Sequence, residues 1–279
     1  MSLTIYVPSR GRFDERLSKG PCSQFPKGTD IVYVVGTDEV GKYALGFYEN
    51  DVTARLLVCP YQPDIAKVRE WCGHHAKASG LSKFVLMDDD VGLLVRKAED
   101  TFQLRAVEPV DTRLMLIWME KALDSFENVG ISGREGNNRA GNSNMFDLVM
   151  YNTRLMRVQG FQTDAFLKCV HGRTRVMEDF DISLQILENG GQNICNYYWA
   201  QGQKMTNDTG GCSEWRTHAV HEESAKKLAE LHPTVVSLRQ KENKTDKDGF
   251  GTRTEVTVQW KSAAAIGQKL KGVSNGKEP

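Results

Sequence analysis

Several familiar frameworks are missing from this 279-residue chain. Its six cysteines (Cys22, Cys59, Cys72, Cys169, Cys195 and Cys212) contain no CxxC spacing. That argues against a zinc or disulfide scaffold and for the reduced thiols of a cytoplasmic protein. No apolar run approaches the roughly 18 residues of a membrane span, so no membrane partner is expected. The opening MSLTIYVPSRGR is too short and too alternating for a signal peptide and reads as a first strand. Net charge is also missing: 36 basic residues offset 36 acidic ones. The global balance therefore gives no support to nucleic-acid binding, which would have to come from a local basic face. No internal repeat or coiled-coil period is visible, and nothing implies an obligate protein partner.

What is present, at 40% hydrophobic and 26% charged, suits either one large α/β domain or a domain with an added lobe. The central stretch is Lys83-Phe84-Val85-Leu86-Met87-Asp88-Asp89-Asp90, a buried strand that ends in three carboxylates. Unpaired carboxylates cannot be core. Alternation along an extended chain would put Asp88 and Asp90 on one side and Asp89 on the other. Two such oxygens suit Mg²⁺ or Mn²⁺, which neutralises a diphosphate. An acidic surface turn is the plain alternative.

Earlier in the chain, residues 3–7 form a strand leading into Pro8-Ser9-Arg10-Gly11-Arg12, a turn able to cradle phosphate. Strands at 31–35 and 55–58 alternate with helices at 39–47 and 64–79, a parallel α/β pattern. Ligands in such sheets bind beyond the carboxyl ends of the strands, where both the turn and the acidic run lie. Lys67 reads as a solvated cation, and His74 and His75 as surface or partly buried.

Further on, a strand at 92–97 and a hairpin or loop at 98–108 precede a helix at 112–126, capped by Asp111. Its Leu114, Met115, Ile117, Trp118, Met119 and Phe126 read as one broad core face. A strand at 129–132 runs into a Gly/Asn-rich segment with Arg134 and Arg139, either a surface loop or a lid over the site. Strand 145–151 follows. The stretch 160–178 reads as loop-rich and locally basic, with Lys168, His171, Arg173 and Arg175 close together. Met177-Glu178-Asp179-Phe180-Asp181 then opens a helix to Leu187, where the positive end of the helix dipole favours acids. Three acids exceed what capping needs. A strand at 194–199 and a helix ending at Leu231 follow. Beyond it lie a strand at 254–260 and a basic tail with Lys269, Lys271 and Lys277, read as disordered. Tyr197, Tyr198 and Trp199 read as strand core.

In order, these landmarks resemble a GT-A glycosyltransferase over roughly residues 3–225. The acidic DxD-type motif is Asp88-Asp89-Asp90, the ED motif is Glu178-Asp179, and the late histidine is His218 (or His221). The departures are a DDD in place of a clear single DxD and the absence of cysteine pairs. The opening IYVPSRGR, the LMDDDV run and GRTRVMEDFDISLQILENGG are most similar to the phage TET-associated glycosyltransferases, relatives of the base J glucosyltransferase. That resemblance implies a Rossmann-like, mostly parallel sheet flanked by helices, with a smaller acceptor-side subregion. The corresponding boundaries are 1–235 for the glycosyltransferase domain (1–97 binding the nucleotide-sugar, 98–235 catalytic) and 236–279 for an extension.

It also implies roles. Asp88, Asp90 and His218 would hold Mn²⁺ or Mg²⁺. Pro8, Ser9, Arg10, Arg69, Asp88 and Asp89 would bind a UDP-sugar donor, and Asp179 would be the general base of an inverting transfer. Glu178 and Asp181 would contact acceptor or donor sugar, although the residues alone do not assign the three acids individually. The implied acceptor is 5-hydroxymethylcytosine or another hydroxymethylpyrimidine in duplex DNA, within the host cytoplasm for a phage-encoded chain. Arg134, Arg139, Arg173 and Arg175 are candidate DNA contacts, with Arg96 and Lys97 near them in kind. The competing functions are a saccharide-directed glycosyltransferase and a non-catalytic binder of nucleotide-sugar or nucleic acid.

Overall fold

A computed structural model describes residues 3–14, 16–61, 64–99, 101–133, 148–203, 217–242 and 252–275. The first half alternates strand and helix: β1 (Thr4–Pro8), β2 (Ile31–Val35), α1 (Val40–Glu49), β3 (Arg55–Val58), α2 (Ile65–Ala78) and β4 (Lys83–Met87). Then come β5 (Val91–Arg96), β6 (Leu104–Ala106), α3 (Pro109–Ala122), β7 (Asn128–Gly133), β8 (Val149–Tyr151), β9 (Val158–Gln162) and α4 (Thr163–Leu167). The last elements are α5 (Glu178–Glu188), β10 (Asn193–Gln203), α6 (His218–Leu231), β11 (Val236–Lys241), β12 (Arg253–Val258) and α7 (Trp260–Asn275).

The main sheet runs β3-β2-β1-β4-β9-β7-β10-β5-β6, with β8 paired to β10. Taking β1 as the reference, β2, β3, β4, β6, β7 and β10 run with it and β5, β8 and β9 against it. The sheet is thus the mostly parallel, helix-flanked α/β architecture expected from the sequence. Residues of β1 and β2 are buried throughout, because helices cover both faces. Such strands read as unbroken apolar runs, which is why they were visible in sequence.

One face packs on Tyr43 of α1 and on Met115, Leu116 and Met119 of α3. The other packs on Val68, Cys72 and Ala76 of α2, Phe166 of α4, and Ile182 and Ile186 of α5. A third apolar cluster joins Phe180, Leu184 and Leu187 of α5 to Leu228 of α6, Val235, Val236, and Ala263 and Ala264 of α7. Helix α5 is therefore covered on both sides, and all eight residues 180–187 are buried.

Four expectations change. The stretch 160–178 was expected to be loop-rich, but it contains the end of β9 and helix α4, with β9 inserted antiparallel between β4 and β7. The tail expected to be disordered is largely α7, which holds Lys269 and Lys271; Lys277 lies outside the described residues. The α3 helix begins at Pro109, with Glu108 as its cap and Asp111 as the returning member of a capping box. Only part of its apolar face is core: Met115 and Met119 are buried, whereas Leu114 is 52% and Ile117 44% exposed.

Candidate active site

The carboxyl ends of β1 and β4, which pair in parallel, bring the Pro8–Arg12 turn and the acidic run to one edge of the sheet. Pro8 and Ser9 are buried there. Ser9 Oγ donates to Asp89 Oδ2 at 2.5 Å and lies 2.7 Å from Tyr43 Oη. The turn reverses through Gly11 at φ +68°, the left-handed region open to glycine. Gly11 N–H donates to Glu39 at 3.1 Å and Arg12 N–H to Tyr43 Oη at 3.1 Å. These bonds aim the two arginines differently. Arg10 pairs with exposed Asp38 at 3.1 Å, while Arg12 turns inward to Asp89 and, at 3.1 Å, to Asp90. Burial lifts the Asp89 carboxyl to about 6, against the opposing pull of Arg12 and Ser9.

Strand β4 ends at Met87, so strict alternation does not extend through the three aspartates. Asp88 N–H still donates to Arg157 O at 3.0 Å, and Arg157 itself has φ +60°. Asp88 Oδ1 accepts from Arg69 Nη2 at 2.7 Å, and the other arm of Arg69 lies 2.8 Å from Glu178 Oε1. One guanidinium from α2 thus joins the end of β4 to the start of α5. Burial raises the Asp88 carboxyl above its usual range; Arg69 opposes this, and nearby Asp90 and Asp179 add to it.

The turn into α5 is strained, since Met177 adopts φ +68° without being glycine. Of the three acids in the first helical turn, Glu178 is held by Arg69. Asp181 is 2% exposed and is bonded by Arg173 and by His232 Nε2 at 2.9 Å. Asp179 forms no ion pair among the described residues, and it lines a cavity of about 20 Å³ with Arg69, Glu178, His171 and Phe166.

Ser9, Arg69, Asp88, Asp89, Asp90, Glu178 and Asp179 therefore gather at one edge, with Pro8 beneath them and Arg10 at the rim. Arg175 is exposed, whereas Arg173 is engaged with Asp181. Arg96 is buried and donates to Tyr197 O at 2.8 Å, and Lys97 is exposed. Arg134 and Arg139 lie outside the described residues. His218 sits 3.1 Å from Thr252 O and 4.0 Å from Glu222, on the lobe formed by α6 and the β11–β12 hairpin.

Among the described residues no three His, Cys, Asp or Glu side chains are grouped to hold a metal. Asp88 and Asp90 still suit Mg²⁺ or Mn²⁺, which commonly take one or two carboxylates and complete their shell with phosphate oxygens and water. The like-charge coupling of Asp88 with Asp90 and Asp179 is the kind a divalent cation offsets. Arg12, Arg157, Glu188 and His232 were not singled out in sequence. Of these, only Arg12 had a local signal, its place in the Pro8–Arg12 turn.

A family model described as TET-Associated Glycosyltransferase matches residues 3–211. No curated protein matches the chain. Among solved structures, it is similar to mannose-1-phosphate geranyltransferase from Thermus thermophilus at 16% identity and TM-score 0.30, covering 48% of this chain and 42% of that one. It is similar to 4-diphosphocytidyl-2C-methyl-D-erythritol synthase from Anaerococcus prevotii at 10% identity and TM-score 0.41, covering 82% and 96%. A third likeness is to a protein described as a nucleotide-diphospho-sugar transferase from Desulfovibrio desulfuricans, at 9% identity and TM-score 0.43, covering 82% and 98%.

Proposed function

Because the chain belongs to the TET-associated glycosyltransferase family, we propose that it moves a sugar from a UDP-sugar to the hydroxyl of a 5-hydroxymethylpyrimidine in duplex DNA. The first acceptor to test is 5-hydroxymethylcytosine. The observation that carries this reading is the bridge from Asp88 through Arg69 to Glu178, which fixes the acidic turn and the ED motif against each other.

In this reading the Pro8–Arg12 turn receives the nucleotide. Its backbone is fixed by Glu39 and Tyr43, so Arg12 is held inward and Arg10 stays at the rim. Asp88 and Asp90 would hold the divalent cation, which supplies charge neutralisation for the departing diphosphate. Arg69 orients Glu178 toward the donor. Asp179 takes the proton from the acceptor hydroxyl as that oxygen attacks the anomeric carbon, with inversion. Its two acidic neighbours are already engaged by cations, so Asp179 is the acid of this turn left to act as base. The exposed Arg175 and the lysines of α7 are candidate phosphate contacts, and binding through them would weaken as salt rises.

The test is incubation with Mn²⁺, a panel of UDP-sugars, and DNA carrying either 5-hydroxymethylcytosine or cytosine, followed by digestion to nucleosides and mass analysis. A hexose or N-acetylhexosamine mass on the hydroxymethylated base alone supports the reading. UDP release without a nucleoside mass shift moves the acceptor to a saccharide. Folded protein with neither signal is a binder, and the reading fails.

A further inference from the structure

Residues beyond the family match at 211 build a lobe of α6, the β11–β12 hairpin and α7. This lobe meets the rest of the protein at the helix that begins with Glu178-Asp179. We propose that it is a positioning element for the catalytic acids, acting through His232 as a positioning residue that holds the strained turn before α5. The proposal rests on the reading of Asp179 as base.

Three independent contacts support it. The first is a buried charge cluster. His232, 2% exposed at the end of α6, places Nε2 2.9 Å from Asp181 and Nδ1 2.7 Å from Glu188. Its imidazole thus spans the first and last turns of α5. Arg173, from the segment leading to the helix, bonds the same Asp181 and lies 3.2 Å from His232 Nε2. The second contact is on the strained turn itself, where Val176 N–H donates to Ser224 Oγ of α6 at 3.3 Å, one residue before Met177. The third is a close crossing of helices. A Cβ on Gly267 of α7 would stand 2.0 Å from Leu187 O and 2.6 Å from Gly190 N, so the two backbones touch.

A non-glycine residue in the left-handed region persists only where its surroundings hold it. Here the holding groups come largely from the appended lobe, and Glu178 and Asp179 are the next two residues. Protonated His232 and Arg173 balance Asp181 and Glu188; neutral His232 leaves an extra buried negative charge beside the turn. Among the described residues, Cys169 and His171 also feel the charge of Asp181. The balance ties the aim of the two acids to the protonation of His232.

The experiment compares full-length wild type with His232→Gln and, as a milder second variant, Glu188→Gln. The expected result is faster amide hydrogen exchange across residues 174–182 in both variants. For sugar transfer, kcat should fall about tenfold to a hundredfold, the range that misplacement of a reacting group produces, with the KM for donor little changed. Wild-type kcat should also decline as pH rises through the His232 transition, and His232→Gln should lack that decline. Unchanged exchange at 174–182 in both variants overturns the inference. So does a lower melting temperature with the wild-type pH profile of kcat intact, since that is what a merely structural role gives. If no acceptor turns over even with wild type, the glycosyl-transfer reading is at fault, and the exchange measurement still decides the role of His232.

Discussion

Replacing Arg69 with methionine tests the bridge on which the site depends. The change keeps much of the apolar stem and removes the guanidinium from between Asp88 and Glu178, whose contacts are 2.7 and 2.8 Å. The side chains of Arg69, Asp88 and Glu178 are 13%, 28% and 14% exposed, so the pair of contacts is neither solvated nor sealed. An exposed pair contributes about 0.2–1 kcal/mol. Breaking a buried pair costs about 3–5 kcal/mol, because a charge is stranded. The intermediate exposure places Arg69→Met at about 2 kcal/mol, or a melting temperature lowered by roughly 3–4 °C in a chain of this size. Scanning calorimetry near pH 7.5 measures it. Lysine at 69 should recover only part of the loss, because a point charge does not span two carboxylates as a planar fork does. Mn²⁺ without donor should raise the melting temperature of Arg69→Met more than that of wild type, since Asp88 then lacks its cation. A melting temperature within about 1 °C of wild type would refute the bridging argument, because the expected shift is several times larger. So would an equal response of both proteins to Mn²⁺.

Three further outcomes follow from the same contacts. Asp179→Asn should lower kcat by about 10²–10⁴-fold and leave donor affinity by calorimetry within a factor of about two, because it removes the base and no ion pair; near wild-type turnover would exclude Asp179 as base. Gly267→Ala should cost at least about 2 kcal/mol in urea unfolding, since the added methyl meets the backbone of α5; a neutral result would mean that α7 does not seat there. The buried cluster gives stability a pH window. For His232, burial favours the neutral ring, but bonds to Asp181 and Glu188 raise its pKa above the ordinary 6.5. Its contribution is therefore complete below about 6.5 and lost as pH rises through the folded value. For Asp181, burial works against ionisation, but His232 and Arg173 hold the pKa below the ordinary 3.8. Its contribution is complete above about 3.8 and lost as pH falls through the folded value. The clamp is thus strongest between about pH 4 and 6.5, and His232→Gln should remove the alkaline part of that dependence from the urea midpoint.

The elements that were legible in sequence are those whose burial is written in consecutive residues. Ile31–Val35 and Lys83–Met87 are covered on both faces, so their apolar runs need no partner to be recognised. Strand β9 lacked such a run. Its Val-Gln-Gly-Phe-Gln places Gln159 in the core at 4% exposure, and Gly160 admits Val129 and Leu123 where a Cβ would crowd them. Helix α7 was hidden for a related reason. Its contact face includes Ala263, Ala264 and Gly267, small residues that add little hydrophobicity but permit close approach, and the lysines of the helix dominate the composition. Leu114 and Ile117 misled in the opposite sense, because periodicity marks an apolar face without saying that anything covers it.

At the site, sequence located the acids and left their division of labour open. What distinguishes their surroundings is groups that arrive from distant parts of the chain. Arg69 reaches Glu178 from α2, and His232 reaches Asp181 from 51 residues downstream. No local spacing encodes either meeting. A similar selection separates Arg10 from Arg12: two residues apart, one pairs with exposed Asp38 and the other with the acidic turn, because Glu39 and Tyr43 fix the backbone between them. It also separates the late histidines, since His218 is held at Thr252 while His232 is buried against α5. Three acids within four residues thus differ in the counter-ions they meet. Glu178 is tethered to the first acidic motif and Asp181 is neutralised in the core. Asp179 stands between them in the first turn of the helix, with no ion pair among the described residues.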